Sequence, residues 1–215
     1  MTSSSAPAAS AGTSPFRSNR STPEERLEKR NALLLAAVRM FNERGFHATS
    51  LDDVAASLGV TKPVIYHYLG NKEQVLFECV RIGLADLQSA AAATRSGTGS
   101  GLDRLKAFLR RYAEIIMGDF GRCAIRTGDE LLSHEARLEF RALKRQVDTA
   151  LRQMIREAAA DGSAQVGDVR TTAFALAGAL NWPARWYRAD GPDSAAAIAH
   201  RLVESLCAGL VPKTG

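Results

Sequence analysis

The residues best equipped for chemistry are crowded between Thr49 and Lys72, in TSLDDVAASLGVTKPVIYHYLGNK. Hydroxyls, phenols and ammonium groups are the side chains that hold phosphate oxygens, and here they fall on a helical frame. Leu51, Val54, Ala55 and Leu58 stand at i, i+3, i+4 and i+7, which makes one buried stripe on a short helix. Thr49 and Ser50 precede it, where a hydroxyl can cap free backbone N–H groups. Gly59 permits the positive φ that turns the chain sharply after that helix. Thr61 is placed to cap a second helix, with Pro63 in its first turn, where a missing N–H costs little. Two short helices joined by a glycine turn are what a helix-turn-helix requires, the second entering the major groove of DNA. On that geometry Thr61, Lys62, Val64 and His67 meet base edges, Lys62 donating to guanine and Val64 touching a thymine methyl. Tyr66, Tyr68, Lys72, Thr49 and Ser50 are placed for phosphate, and Ile65 and Leu69 face inward with Val60.

These groups need a scaffold, and the flanking pattern is helical throughout. Leu34, Ala37, Val38 and Phe41 lie on one face of a helix from Glu24 to Arg44, capped by Thr22 and ended by Gly45. Asn71 caps a fourth helix reaching about Ala93, with Leu76, Val80, Gly83 and Leu87 inward. TRSGTGSG at 94–101 is a loop by composition. Leu102, Leu105, Leu109, Tyr112 and Ile116 mark a further helix, and a short element follows over 120–125. A long helix is expected over 130–160, and two last ones over 168–188 and 194–210. No segment alternates like a strand. The expected fold is all-α with about nine helices. A three-helix head at 23–70 would precede a ligand-binding and dimerisation domain at 71–215.

Residues 1–22 are rich in Ser, Ala, Thr and Gly and contain Arg17 and Arg20 but no acid. Such a segment cannot bury apolar surface and is expected to be a disordered basic tail, with no apolar stretch of a secretory signal. The net charge of +5 is compatible with nucleic acid, yet residues 24–80 hold seven Lys and Arg against eight Asp and Glu. The DNA footprint is therefore local, made by a few cations and helix N-termini. No run of about 18 apolar residues exists to span a membrane. Cys79, Cys123 and Cys207 are odd in number and far apart, as expected of reduced thiols in a cytoplasm.

The head resembles the N-terminal domain of the tetracycline-repressor-like (TetR) family of bacterial transcription regulators. Phe41, Gly45-Phe46, Thr49-Ser50, Val54-Ala55, Gly59-Val60, Tyr66, Tyr68, Asn71 and Lys72 carry that resemblance. It implies a cytoplasmic homodimer on double-stranded operator DNA, built of helices, whose C-terminal domain releases DNA when a small molecule fills it.

The second informative stretch is ALNWPARWYRADGPD at 179–193. Trp182 and Trp186, four apart, share one helix face, and Pro183 between them should kink the helix. After Ala173, Ala175, Ala177, Gly178 and Ala179 these aromatics suit either a close dimer seam or the wall of a cavity. The NW…RWYR…GP pattern resembles a branch of the family whose repressors answer to acyl-CoA thioesters of fatty-acid, phenylacetate or steroid breakdown. That resemblance implies an apolar cavity bordered by Trp182 and Trp186, with Arg122, Arg126 and Arg185 among the arginines at its mouth. It also implies dimerisation through the last two helices.

Other functions find less support. An efflux-pump repressor sensing lipophilic cations would want acids in the cavity, and none cluster between Phe108 and Tyr187. A helical interaction module would not explain a capped recognition helix. His47, His67, His134 and His200 are scattered, and no HExxH, GxSxG, phosphate loop or metal-ligand spacing is present. No catalytic residue, metal ligand or cofactor is therefore expected.

Overall fold

The computed structural model describes residues 22–211; the basic tail with Arg17 and Arg20 lies outside the described residues. The described residues are all-α, and most helices begin on a side-chain cap. Helix α1 (Pro23–Arg44) starts on a reciprocal capping box between Thr22 and Glu25 and ends at Gly45, whose φ is +87°. Helices α2 (Leu51–Ser57) and α3 (Lys62–Leu69) are joined through Gly59, at φ +64°. Ser50 and Asp53 form a second box at α2, and helix α4 (Lys72–Arg95) starts on Asn71 and Gln74 as a third and α5 (Gly101–Met117) on Ser100 and Asp103 as a fourth. Then come α6 (Asp119–Arg126), a single 3-10 turn at Asp129–Leu131, and α7 (His134–Ala160). Helix α8 (Val169–Asn181), the one-turn α9 (Pro183–Trp186) and α10 (Ala195–Cys207) complete the order.

Two boundaries differ from the sequence expectation, each for a local reason. The long helix begins at His134 rather than Glu130, because Ser133 takes the cap and Asp129–Leu131 winds as a 3-10 turn. The helix expected over 168–188 opens its hydrogen-bond ladder at Pro183, with Trp182 still in helical conformation. Pro183 donates no hydrogen bond and crowds the carbonyl four residues back, so α8 stops at Asn181 and a separate turn follows.

The first three helices close on Leu33, Leu34, Val38, Leu51, Val54 and Ile65, all at most 2% exposed. Helix α4 leaves this group and packs along α5, α6 and α7. At the α4–α6 crossing a Cβ on Gly83 would lie 2.5 Å from the Phe120 carbonyl oxygen, so the backbones touch where only glycine fits. Helix α6 is also tied to α1: Arg39 Nε donates to Asp119 Oδ2 at 2.9 Å and Asn42 Nδ2 to the Asp119 carbonyl at 2.8 Å. Cys79, Cys123 and Cys207 are buried and free. No helix among the described residues is long and apolar enough to cross a membrane.

These contacts make two expectations for stability. Gly83→Ala should cost about 1–3 kcal/mol by overpacking a backbone contact, read as a lowered denaturant midpoint with unchanged slope. At α10, Glu204 accepts from Lys106 at 3.0 Å and Arg110 at 2.5 Å, which pushes its carboxyl down to about 2. A depressed pKa stabilises the fold above the ordinary carboxyl value and loses that effect as pH falls through about 2. Glu204→Gln should therefore lower the melting temperature at pH 7, and the gap to wild type should close between the ordinary carboxyl value and about pH 2.

Candidate nucleic-acid interface and effector cavity

Ser50 fixes the start of α2. Its hydroxyl accepts from Asp53 N at 3.1 Å and donates to Asp53 Oδ2 at 2.6 Å, and its own N–H donates to the same oxygen at 3.0 Å. These bonds hold the Asp53 carboxyl below the ordinary range, so a fixed negative charge stands beside the helix N-terminus. Lys72 offsets it from the first turn of α4. Its ammonium sits 4.2 Å over the Phe46 ring and 3.5 Å from the His47 carbonyl, and partial burial draws its pKa down. Ser50, Lys72 and the half-exposed Tyr66 line one cleft of about 300 Å³, together with His47 and Asp53. A hydroxyl, a phenol and an ammonium converging at a helix N-terminus can hold one phosphate.

Thr49 departs from expectation. It is 1% exposed and donates its hydroxyl to the Gly45 and Met40 carbonyls at 2.9 and 3.3 Å, so it closes the turn after α1 and cannot reach a phosphate. Of two adjacent hydroxyls only Ser50 can cap α2, and Thr49 is left to satisfy buried carbonyls.

On α3, Thr61 holds the cap position, but its side chain makes no capping bond and is exposed. His67 is exposed too, with its ring edge-on to Tyr68 at 5.3 Å. Tyr68 and Val64 are half-buried, and Ile65 and Leu69 are buried. Lys62 is not free: its ammonium is ion-paired with Asp52 Oδ2 in the first turn of α2. That hydrogen bond and charge hold Lys62 in its protonated form.

A cavity of about 460 Å³, open to solvent on one side, lies between α4, α5, α7 and α8, with Ile125 of α6 at one edge. Leu84, Leu87, Val147, Leu151 and Ala177 make it apolar. Its inner polar spot is Tyr112, whose hydroxyl donates to Asn181 Oδ1 at 2.8 Å. Burial pushes the Tyr112 phenol up to about 12, so it stays neutral and a donor at ordinary pH. The cationic wall comes from α7: Arg141, Lys144 and Arg145. The one lining carboxylate among the described residues, Asp148, is tied to Arg152 at 2.9 Å.

None of the five residues expected at the ligand lines this cavity. Arg122 donates to the Tyr187 carbonyl at 2.9 Å and stacks over the Tyr187 ring, pinning α6 to the segment after α9. Arg126 donates to the Asn42 carbonyl at 2.8 Å, on the α1 side. Trp182 and Trp186 are 62% and 46% exposed, and Arg185 is exposed beside them. The signal that could have found the cationic wall was the spacing of Arg141, Lys144, Arg145 and Asp148. They repeat every three or four residues beside the apolar stripe of Val147, Leu151 and Met154.

Residues 98–210, more than half of the chain, match the family model of the tetracyclin repressor-like C-terminal domain. The chain belongs to the TetR family. Residues 33–79 match the model of bacterial regulatory proteins of the tetR family, which covers the helix-turn-helix. Over 204 residues the chain is 24% identical to the HTH-type transcriptional repressor KstR2 of Mycolicibacterium smegmatis, covering 90% of this chain and 96% of that protein. Among solved structures it resembles the TetR regulator PfmR from Thermus thermophilus, with TM-score 0.76 and 30% identity over 84% of this chain and 99% of that one. The fold is shared with AibR in complex with isovaleryl coenzyme A and operator DNA, with TM-score 0.72 and 24% identity over 82% and 97% of the two chains.

In this DNA-binding regulator the Asp52 carboxylate covers the Lys62 ammonium, one of the cations expected at the groove. Asp52→Asn should raise affinity for arbitrary DNA and steepen the plot of log K against log salt by about 0.9, one phosphate's worth. An unchanged slope would mean that Lys62 does not face DNA.

Proposed function

We propose that this TetR-family protein is a homodimeric transcriptional repressor that leaves its operator when an acyl-CoA, or a similar apolar anion, fills the C-terminal cavity. The observation that carries the effector class is the pairing of an apolar cavity with Arg141, Lys144 and Arg145 on one wall. An acyl chain matches the leucine and valine lining, and phosphates match a row of guanidinium and ammonium groups. A lipophilic cation would meet three like charges and one carboxylate already neutralised by Arg152. KstR2 is named a repressor, and AibR is described with isovaleryl coenzyme A and operator DNA; both fit the reading.

The head, residues 23–70, supplies the operator contacts in this reading. Ser50, Tyr66, Lys72 and Tyr68 take phosphate, and Thr61, Lys62, Val64 and His67 face the groove. The tail at 1–22 is assigned no more than an auxiliary phosphate contact. Dimerisation is assigned to the last two long helices, α8 and α10. The outer face of α8 carries Ala175 and Gly178, continues into Trp182 and Trp186, and is exposed in the single chain. Small residues beside large exposed aromatics suit a helix seam that closes against a second copy. Such a dimer spaces its two heads one helical turn of DNA apart, about 34–36 Å, and a ligand acts by favouring another spacing.

The test is fluorescence anisotropy on an operator selected from random DNA, at fixed salt, with octanoyl-CoA, octanoate and a lipophilic cation such as tetraphenylphosphonium. Octanoyl-CoA should weaken operator binding by about 5- to 150-fold, the usual span of allosteric coupling, and the cation should have no effect. Release by the cation alone would replace this reading with a cation sensor.

A further inference from the structure

The turn between α6 and α7, residues 127–133, is held at three points. Before it, Arg126 Nη1 donates to the Asn42 carbonyl of α1 at 2.8 Å. Within it, Asp129 Oδ2 accepts from Arg141 Nε at 2.5 Å. At its end, the Ser133 N–H donates to Glu73 Oε1 at 2.6 Å. Leu132, 3% exposed, anchors the turn in the core between the last two. Arg141 also lines the effector cavity, and Glu73 follows Lys72 in the first turn of α4. One short segment thus joins a cavity-wall guanidinium to the helix turn that carries a phosphate-binding ammonium.

The Arg141–Asp129 pair is suited to exchange. Its side chains are 51% and 30% exposed, so it is a weak link, easily replaced by a stronger anion. Asp129 engages Arg141 through Nε, whereas a guanidinium can offer two parallel N–H groups to a phosphate or carboxylate. Lys144 and Arg137 also lie close enough to hold the Asp129 carboxyl low, so its charge keeps other partners when Arg141 turns away.

We infer that Arg141 trades Asp129 for the ligand's anionic group, and that this exchange moves the Ser133–Glu73 contact and with it the α4 turn bearing Lys72. The exchange rests on the effector reading above and names its trigger. Arg141 is a ligand contact in it, and Asp129 and Glu73 are positioning residues that act through their partners. An apolar ligand with no anion would fill the cavity and leave the pair in place, so the device distinguishes a charged ester from a neutral one.

Asp129→Asn mimics the exchanged state, because Arg141 loses its partner without a ligand. By linkage it should bind the selected operator about two- to fivefold more weakly than wild type and octanoyl-CoA more tightly by a similar factor. The release factor, the ratio of operator affinities without and with octanoyl-CoA, should shrink by the same amount. Glu73→Ala should weaken operator binding on its own and add little in the Asp129→Asn background, since both break one chain of contacts. A merely structural role for Asp129 would lower the melting temperature but leave the release factor unchanged. Equal operator affinity and release factor for Asp129→Asn and wild type, or effects of the two variants that simply multiply, would overturn the inference. Octanoyl-CoA that binds wild type without loosening it from DNA would overturn the effector reading instead. In that case the ligand-free comparison of Asp129→Asn with wild type still decides whether the turn is linked to the head.

Discussion

Gly83 meets the Phe120 carbonyl with no room for a side chain, and most of the molecule is arranged around that contact. It sets α6 directly on α4, the helix that starts beside the Ser50–Tyr66 cleft and ends among the C-terminal helices. With α6 seated there, Asp119 reaches Arg39 and Asn42, and Arg126 reaches the Asn42 carbonyl. Helix α1 is thereby fixed to α6, and α4 passes on to form a cavity wall with Leu84 and Leu87. A Cβ at 83 would push α6 away and loosen these contacts together. One glycine therefore relates the orientation of the helix-turn-helix to the shape of the cavity.

The head solves a charge problem that its composition poses. A nearly neutral domain cannot hold DNA by a broad basic face, and a broad face would also bind any DNA. The structure concentrates what it has. Lys72 is held over the Phe46 ring beside the α2 N-terminus, while Asp53 is tied down in the capping box and Asp52 covers Lys62. An ammonium restrained by a ring and a carbonyl loses less freedom on meeting a phosphate than one on a free surface stem. Any other contact made by the Lys62 ammonium must first break its pair with Asp52.

The head was legible because its determinants are local. Thr22, Ser50, Asn71 and Ser100 each cap the helix that follows, and Gly45 and Gly59 adopt the positive φ their positions demand. Thr49 misled because two adjacent hydroxyls look alike in sequence while only one can face the helix end. The C-terminal site was less legible for a different reason. Arg122, Arg126, Arg141 and Arg145 all sit on helices. Whether each meets a carbonyl, a carboxylate or a cavity depends on which helix crosses above it. The tryptophans drew attention by their size, but both stand exposed.

The buried apolar side chains of the two parts form one continuous core, and polar links run alongside it where the parts meet. The first three helices enclose fully buried leucines and valines, and the later helices enclose Phe108, Ile116, Phe140 and Ile155. Alongside the backbone contact at Gly83, the named links across the joint are polar: Arg39–Asp119, Arg126–Asn42 and Ser133–Glu73. Rearranging a packed core opens cavities that cost several kcal/mol, whereas a partly exposed ion pair changes partners for about 0–1 kcal/mol. Such links can change partners while the shared core stays packed. That scale matters, because allosteric control needs only about 1–3 kcal/mol between sites. Two or three polar links changed together can supply it.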